Sequence, residues 1–133
     1  MSVEKRAKAF EQGFSVDAYK MYVAEVPERG ICGFADFGEP REQIDAYEGE
    51  LYAIYLLPEF QRKGIGERLF NLGVDFFAGS GKGSMYLLAL EVSPYRAFYE
   101  KMGGRIVGRK RIEIEDVLYD EMVYGWENLK NLR

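Results

Sequence analysis

The stretch from Leu51 to Leu72 limits what this chain can fold into more than any other. An apolar, strand-like run from Leu51 to Leu57 ends at Pro58. A polar turn follows, holding Gln61, Arg62, Lys63, Gly64 and Gly66, and a helical pattern starts at about Ile65. A strand that enters a helix through such a turn directs free N–H groups and the positive end of a helix dipole outward. Gly64 and Gly66 let the backbone approach a ligand because no Cβ intervenes, and Arg62 and Lys63 add full positive charge. The ligand this favours carries phosphates. The dinucleotide fingerprint needs a third glycine where Leu69 stands, and the P-loop needs a lysine after its glycine, whereas Lys63 precedes Gly64. Both common nucleotide motifs therefore fail.

The 133 residues suffice for one domain with a real core and not for two. At 47% apolar and 15% aromatic the composition is that of a folded globular protein. A net charge of -4 argues against a general binder of nucleic acid or anionic membrane. No apolar run approaches the roughly 20 residues that span a bilayer, and the first residues lack a signal peptide's apolar core. One cysteine rules out an internal disulfide and suits a reducing cytoplasm, the expected location. The chain has no histidine, so Ser-His-Asp and Cys-His nucleophile systems and His-ligated metals are excluded. No metal site is expected, and proton transfer falls to Glu, Asp, Tyr, Lys or water.

Taken in order, Val3, Ala7, Phe10 and Phe14 fall on one face of a helix expected over Val3 to Phe14. Tyr19–Val26 and Ile31–Phe37 alternate as two strands of a hairpin around Pro27–Gly30. Cys32, inside the second strand, reads as a buried, inert thiol. Glu39 to Gly49 is a loop, either facing substrate or simply connecting. Glu50 to Leu57 is the strand feeding the turn, and the helix beyond shows Ile65, Leu69, Leu72 and Phe76 on one stripe. Gly79 to Ser84 looks phosphate-binding, yet it lies between a helix and a strand, the reverse of a P-loop's order, and reads as a turn. Met85 to Leu90 is an apolar, central strand. Ser93-Pro94 suits a helix start and Gly103-Gly104 its end. Arg105–Glu113 and Val117–Trp126 form a closing hairpin.

Gln61-x-x-Gly64-x-Gly66 after Leu-Pro resembles the acetyl-CoA pyrophosphate loop of the GNAT superfamily of N-acetyltransferases. Phe98-Tyr-Glu-Lys-Met-Gly-Gly104, some thirty residues on, is similar to the segment on the helix after that family's fifth strand. The run from Val117 to Trp126 is similar to the last strand of many bacterial members. The resemblance covers residues 1 to about 128, a single GNAT-like domain over 1–133. It implies an α/β (α+β) fold: a mixed, largely antiparallel sheet of about six strands flanked by helices.

Two departures stand out. Family members usually begin with a strand and a helix that this chain lacks, so it starts as if inside the second helix. Either the first strand is dispensable, or another chain covers the open edge, as in a homodimer. Ser93 stands where relatives often have an Asn that contacts the pantetheine arm.

The resemblance implies acetyl transfer from acetyl-CoA to a primary amine by direct attack in a ternary complex. Such a reaction needs no protein nucleophile, and positioning alone supplies roughly 7–11 kcal/mol. Backbone groups of Ile54, Tyr55 and Leu56 are expected to pair with pantetheine and polarise the thioester. Gln61, Arg62, Lys63, Gly64, Ile65 and Gly66 are expected under the pyrophosphate, with Ser93 nearby. Tyr99 is the general-acid candidate, since a phenol of pKa ~10 can protonate a thiolate whose thiol lies near ~8.5. Glu50 and Glu91 are the base candidates, because burial raises a carboxyl toward neutrality. The acceptor is not readable; the acidic balance leans toward a cationic small molecule, with a peptide N-terminus or a lysine open. A non-catalytic acyl-CoA-binding or regulatory module, and a plain structural or dimerisation domain, are the readings from other classes.

Overall fold

In the computed structural model, residues 2–6 and 19–132 are described. The elements run β1 (Ser2–Arg6), β2 (Lys20–Val26), β3 (Gly30–Gly38), β4 (Gly49–Leu56), α1 (Ile65–Gly79), β5 (Met85–Leu90), α2 (Arg96–Lys101), β6 (Arg105–Ile114) and β7 (Val117–Trp126). Short 3-10 turns cover Pro58–Phe60 and Leu129–Leu132. One seven-stranded sheet has the order β1-β2-β3-β4-β5-β7-β6. Every neighbouring pair is antiparallel except β4 and β5. The fold is the expected mixed sheet with helices against it, with one strand more than the sequence suggests.

The extra strand corrects the reading of the N-terminus. Ser2–Arg6 is a strand, not the start of a helix, and it pairs antiparallel with β2 from Ser2↔Glu25 to Arg6↔Met21. The rest of the expected helix, residues 7–14, lies outside the described residues. Val3-Glu4-Lys5-Arg6 has no apolar periodicity of its own, so the ladder with β2 decides its conformation. The edge of β2 expected to be bare is therefore covered by β1, which removes the reason for a second chain there.

α1 packs across the middle of the sheet because its apolar stripe is wide. Leu69, Phe70, Val74 and Phe77 are all buried in the main core. Phe77 meets Phe37 of β3 edge-on with ring centroids 5.8 Å apart, and Phe70 meets Trp126 of β7 at 5.3 Å. Cys32 is buried in the same core. A smaller cluster of Tyr47, Tyr86 and Val123 forms beside it.

The second helix starts later than Ser93-Pro94 suggests. Residues 91–95 form turns, and α2 begins at Arg96 with Tyr95 as its N-cap residue. The Ser93 hydroxyl does accept a hydrogen bond from the Tyr95 N–H at 3.2 Å, but it closes the turn before the helix. The helix stops where Gly103 turns left-handed at φ 96°.

Candidate active site

The site begins where the sheet comes apart. β4 and β5 pair at only two positions, Gly49↔Met85 and Glu50↔Tyr86. Beyond them the strands diverge, and the cause lies in β4. Phe37 faces Leu51 and Asp36 faces Ala53, so Tyr52 is an extra residue without a partner on β3. Such a bulge bends its strand and increases local twist. The second half of β4 therefore runs beside a cleft instead of beside β5.

Strand alternation fixes which backbone groups meet that cleft. The Leu57 N–H donates to the Cys32 carbonyl at 2.9 Å, on the β3 side. Tyr55, two residues back, turns the same way, so Ile54 and Leu56 turn theirs toward the cleft. The Leu56 carbonyl accepts from Gln61 Nε2 at 3.1 Å, in keeping with that direction. Of the three residues expected to present backbone to pantetheine, Ile54 and Leu56 turn theirs to the cleft. Tyr55 contributes its half-exposed side chain.

At the end of the cleft stands the basic turn. Arg62 and Gly64 have φ of 64° and 82°, and the left-handed Gly64 is the N-cap residue of α1. Within the helix the first N–H groups have no carbonyl four residues back, so they point out of the turn. A Cβ on Gly66 would lie 3.3 Å from the Phe98 ring and 3.4 Å from Leu56, so the bare glycine lets α2 close against α1. The Tyr95 hydroxyl meets Gln61 Nε2 at 3.4 Å, joining the two walls once more.

The resulting pocket, about 450 Å³, is lined by Ile54, Tyr55, Leu56, Gln61, Arg62, Gly64 and Gly66 of the expected cofactor residues. Lys63 and Ile65 are not in the lining: the Lys63 ammonium lies 5.7 Å from the Phe60 ring centroid, and Ile65 is buried in the core. Glu67 and a second wall of Pro94, Tyr95, Ala97, Phe98 and Lys101 complete it. Reasoning on sequence missed these, although Phe98 and Lys101 lie within the segment that carried the resemblance. Their three-residue spacing puts them on one helix face.

The catalytic candidates are spread more widely. Tyr99 is buried next to the pocket but absent from its lining, with its ring 5.6 Å from that of Tyr124. Burial pushes its phenol up to about 12, the Tyr95 phenol adds to the rise, and a hydrogen bond with Ser93 opposes it. Ser93 thus works on Tyr99 and does not line the pocket.

Glu50 is fully buried, and its carboxylate meets Arg41 and Tyr86. Oε1 accepts from the Arg41 backbone N–H at 2.9 Å and the Tyr86 hydroxyl at 3.1 Å. Oε2 accepts from Arg41 Nε at 3.2 Å and Nη2 at 2.6 Å. The three Arg41 bonds are undivided, whereas the single Tyr86 proton is shared with the Glu42 carbonyl, which lies nearer at 2.7 Å. Glu50, expected as a base candidate, is thus a buried carboxylate held chiefly by Arg41, and it does not line the pocket. Glu91, at the end of β5, is half exposed, and its ion-pair partner Arg109 stands 4.0 Å away. Arg41 was unforeseen because its partner lies across a loop with no periodic signal. Among the described residues no group of three or more His, Cys, Asp or Glu is placed to hold a metal, and no helix is long and apolar enough to cross a membrane.

The chain that carries this cleft matches known proteins in sequence and in fold. Residues 2–104 match the Acetyltransferase (GNAT) family. The chain is 36% identical over 127 residues to the uncharacterized N-acetyltransferase YuaI of Bacillus subtilis (strain 168), covering 95% of this chain and 73% of that one. A GNAT-family structure from Desulfovibrio desulfuricans superposes with a TM-score of 0.71 at 20% identity, over 95% of this chain and 99% of the other. A Salmonella typhimurium structure with its cofactor acetyl-CoA gives 0.65 at 19% identity, over 82% and 64% of the two chains. Arabidopsis thaliana NAA60 with a bisubstrate analogue gives 0.69 at 17% identity, over 82% and 75%. The chain belongs to the GNAT family of acetyltransferases, which use acetyl-CoA as acyl donor.

Proposed function

We propose that this protein transfers an acetyl group from acetyl-CoA to a primary amine by direct attack within a ternary complex. One observation carries the reading: the β4 edge is released from β5 after Glu50 and leads straight to the N-terminus of α1 beside Arg62. Such a groove offers what acetyl-CoA requires, a peptide-like edge for an amide-bearing arm and an anion seat for its phosphates. The donor supplies an acyl group activated as a thioester. The backbone groups of Ile54 and the Leu56 N–H orient the arm and polarise the carbonyl, while Arg62 and the first N–H groups of α1 hold the phosphates.

Tyr99 is assigned the proton given to the departing thiolate. Its raised pKa keeps the phenol protonated at any working pH, so the proton is always present to give. Ser93 lowers the cost of the phenolate that remains. The acceptor's proton is assigned to Glu91, which stands just after β5 outside the pocket lining, half exposed and 4.0 Å from Arg109. Glu50 holds the apex of the cleft. Direct attack within a ternary complex is supported by the bisubstrate analogue bound to the fold relative NAA60, and amine acetylation by the likeness to YuaI, an uncharacterized N-acetyltransferase.

A second reading, a non-catalytic acyl-CoA-binding module, is favoured by two observations: the engagement of Glu50 by Arg41 and the absence of Tyr99 from the pocket lining. Calorimetric titration with acetyl-CoA and with desulfo-CoA, followed by an amine screen for thiol release, separates the two. Binding of both with thiol release in the presence of an amine supports the enzyme. Binding without release from any amine supports the module, and no binding of either ligand overturns both.

A further inference from the structure

The sheet has two edges, and they are built differently. β1 closes one with five residues, whereas β6 lays ten along the other, with no further strand beside it among the described residues. The pairing of β5 with β7 ends at Leu90↔Glu121, so the hairpin from Ile112 to Tyr119 runs on past β5. Its turn residues Glu115 and Asp116 have φ of 49° and 66°, the two-residue form that closes on an Ile114–Val117 backbone bond. From that pair the register runs back without a shift to Gly108↔Val123, so alternation fixes each direction. Lys110, Ile112 and Ile114 turn their N–H and C=O to β7. Arg109, Arg111 and Glu113 turn theirs outward, along the open edge. Ile114 is 43% exposed, Val117 49% and Leu118 58%, so the overhang also carries apolar surface.

We infer that β6 is a self-complementary edge, along which a second copy of this chain pairs antiparallel about a two-fold axis at Ile112. The charges along the edge select that register. Such a pairing joins outward residues to outward residues, so its axis falls on a residue of the strand. Centred on Arg109, Lys110, Arg111 or Glu113, it sets like charges opposite one another, which is unfavourable. Centred on Ile112, it sets Arg111 against Glu113 of the second copy, and Glu113 against that copy's Arg111. Asp120 already pairs with Arg111 across the hairpin at 3.2 Å, so the row alternates in sign from Asp120 to Arg111 to the second copy's Glu113. Within its own hairpin Glu113 faces only Leu118, and the pairing gives its charge a counterpart. On the other face Ile112 stands opposite Tyr119, so the axis joins these two and their copies into one apolar row. A competing account is that the charges of β6 merely blunt an edge. A blunted edge leaves a monomer and selects no register.

The test is analytical sedimentation of the full chain together with cysteine cross-linking along β6. The chain is expected to sediment at twice its 15.3 kDa at about 100 µM. Glu113→Arg, which sets arginine against arginine twice, is expected to weaken the dimer by about tenfold or more. Ile112→Cys reads the register directly. The axis places residue 112 beside its own copy as a non-hydrogen-bonded pair, about 4.5 Å between Cα atoms and within reach of a disulfide. Mild oxidation is expected to link Ile112→Cys into a covalent dimer and to leave Lys110→Cys and Ile114→Cys unlinked, the native Cys32 being buried. A monomer at that concentration, assembly beyond two copies, or a dimer unmoved by Glu113→Arg overturns the proposal. So does linking of Lys110→Cys or Ile114→Cys as efficient as that of Ile112→Cys.

Discussion

The Tyr86 hydroxyl donates to Glu50 Oε1 at 3.1 Å across the last residue pair that β4 and β5 share. The bond therefore lies at the apex from which the cleft opens. The hydroxyl's single proton is shared with the Glu42 carbonyl, which is nearer at 2.7 Å, and Arg41 grips Glu50 from the neighbouring position of the loop. Glu42 in turn pairs with Lys110 of β6. The β3–β4 loop thus ties the apex to three strands, and a plain connection would not need to be so anchored. Its link to function is geometric: the angle at the apex sets the width of the groove along Ile54 and Leu56.

Arg41→Ala and Glu50→Gln are therefore expected to act as one defect. Removing the guanidinium leaves a buried carboxylate short of donors and should destabilise the fold by roughly 1–3 kcal/mol, read from denaturant midpoints. In a double-mutant cycle the combined loss should fall short of the sum by about 1 kcal/mol or more. With Glu91 as the base, kcat/KM should fall by about 10²-fold or more in Glu91→Gln and far less in Glu50→Gln. The reverse order would make Glu50 the base.

Tyr99→Phe separates proton donation from packing. Phe fills nearly the same buried volume beside Phe98 and Tyr124. Stability should therefore change little and the calorimetric affinity for acetyl-CoA not at all, while kcat falls by about 10²-fold or more. Ser93→Ala should give a smaller loss and move the phenol's titration further up, since Ser93 hydrogen-bonds it and lowers its pKa. Spectrophotometric titration of the phenolate absorbance checks the direction. A Tyr99→Phe variant with unimpaired turnover would remove the residue from the mechanism.

What the sequence reveals of this site is what is local in it. Leu51 to Leu72 reads correctly because a strand, a proline, a glycine turn and a helix stripe each declare themselves within a few residues. β1 does not: five residues without periodicity become a strand only by pairing with β2, some twenty residues away. The role of Ser93 slips by a few positions because Pro94 and Tyr95 fit a turn as well as a first helical turn. The grip of Arg41 on Glu50 escapes for a different reason. A carboxylate at the start of a strand looks solvated until the loop that buries it is placed. Lys101 and Glu67 become pocket residues only when α2 is laid against α1, and Gly66 permits that contact.

Gly66→Ala tests that contact and the phosphate seat together. A Cβ 3.3 Å from the Phe98 ring and 3.4 Å from Leu56 is tight yet tolerable if the ring shifts a few tenths of an ångström. Alanine also favours a helix over glycine by up to about 1 kcal/mol. Thermal stability should therefore change little in either direction. Acetyl-CoA affinity should fall by roughly tenfold or more, because the methyl group lies on the wall that the phosphates approach. Unaltered affinity would place the phosphates elsewhere in the cleft.

Alkaline stability should reveal the buried tyrosines. Burial raises the phenols of Tyr19, Tyr52, Tyr86 and Tyr99, with Asp36 adding to the rise at Tyr19 and Glu50 adding to it at Tyr52 and Tyr86. In the unfolded chain each ionises near its ordinary value of ~10. Below that pH both states hold the proton, and stability is insensitive to these groups. Above it the unfolded state releases protons that the folded state keeps, so stability falls as pH rises toward the folded values. Tm measured at intervals from pH 8 to 11 should stay level with respect to these phenols up to roughly pH 9.5 and then drop. Tyr99→Phe should soften the drop, and Tyr86→Phe should do the same while weakening the apex at Glu50. A Tm that holds level through pH 11 would mean that these phenols ionise alike in the folded and unfolded chain.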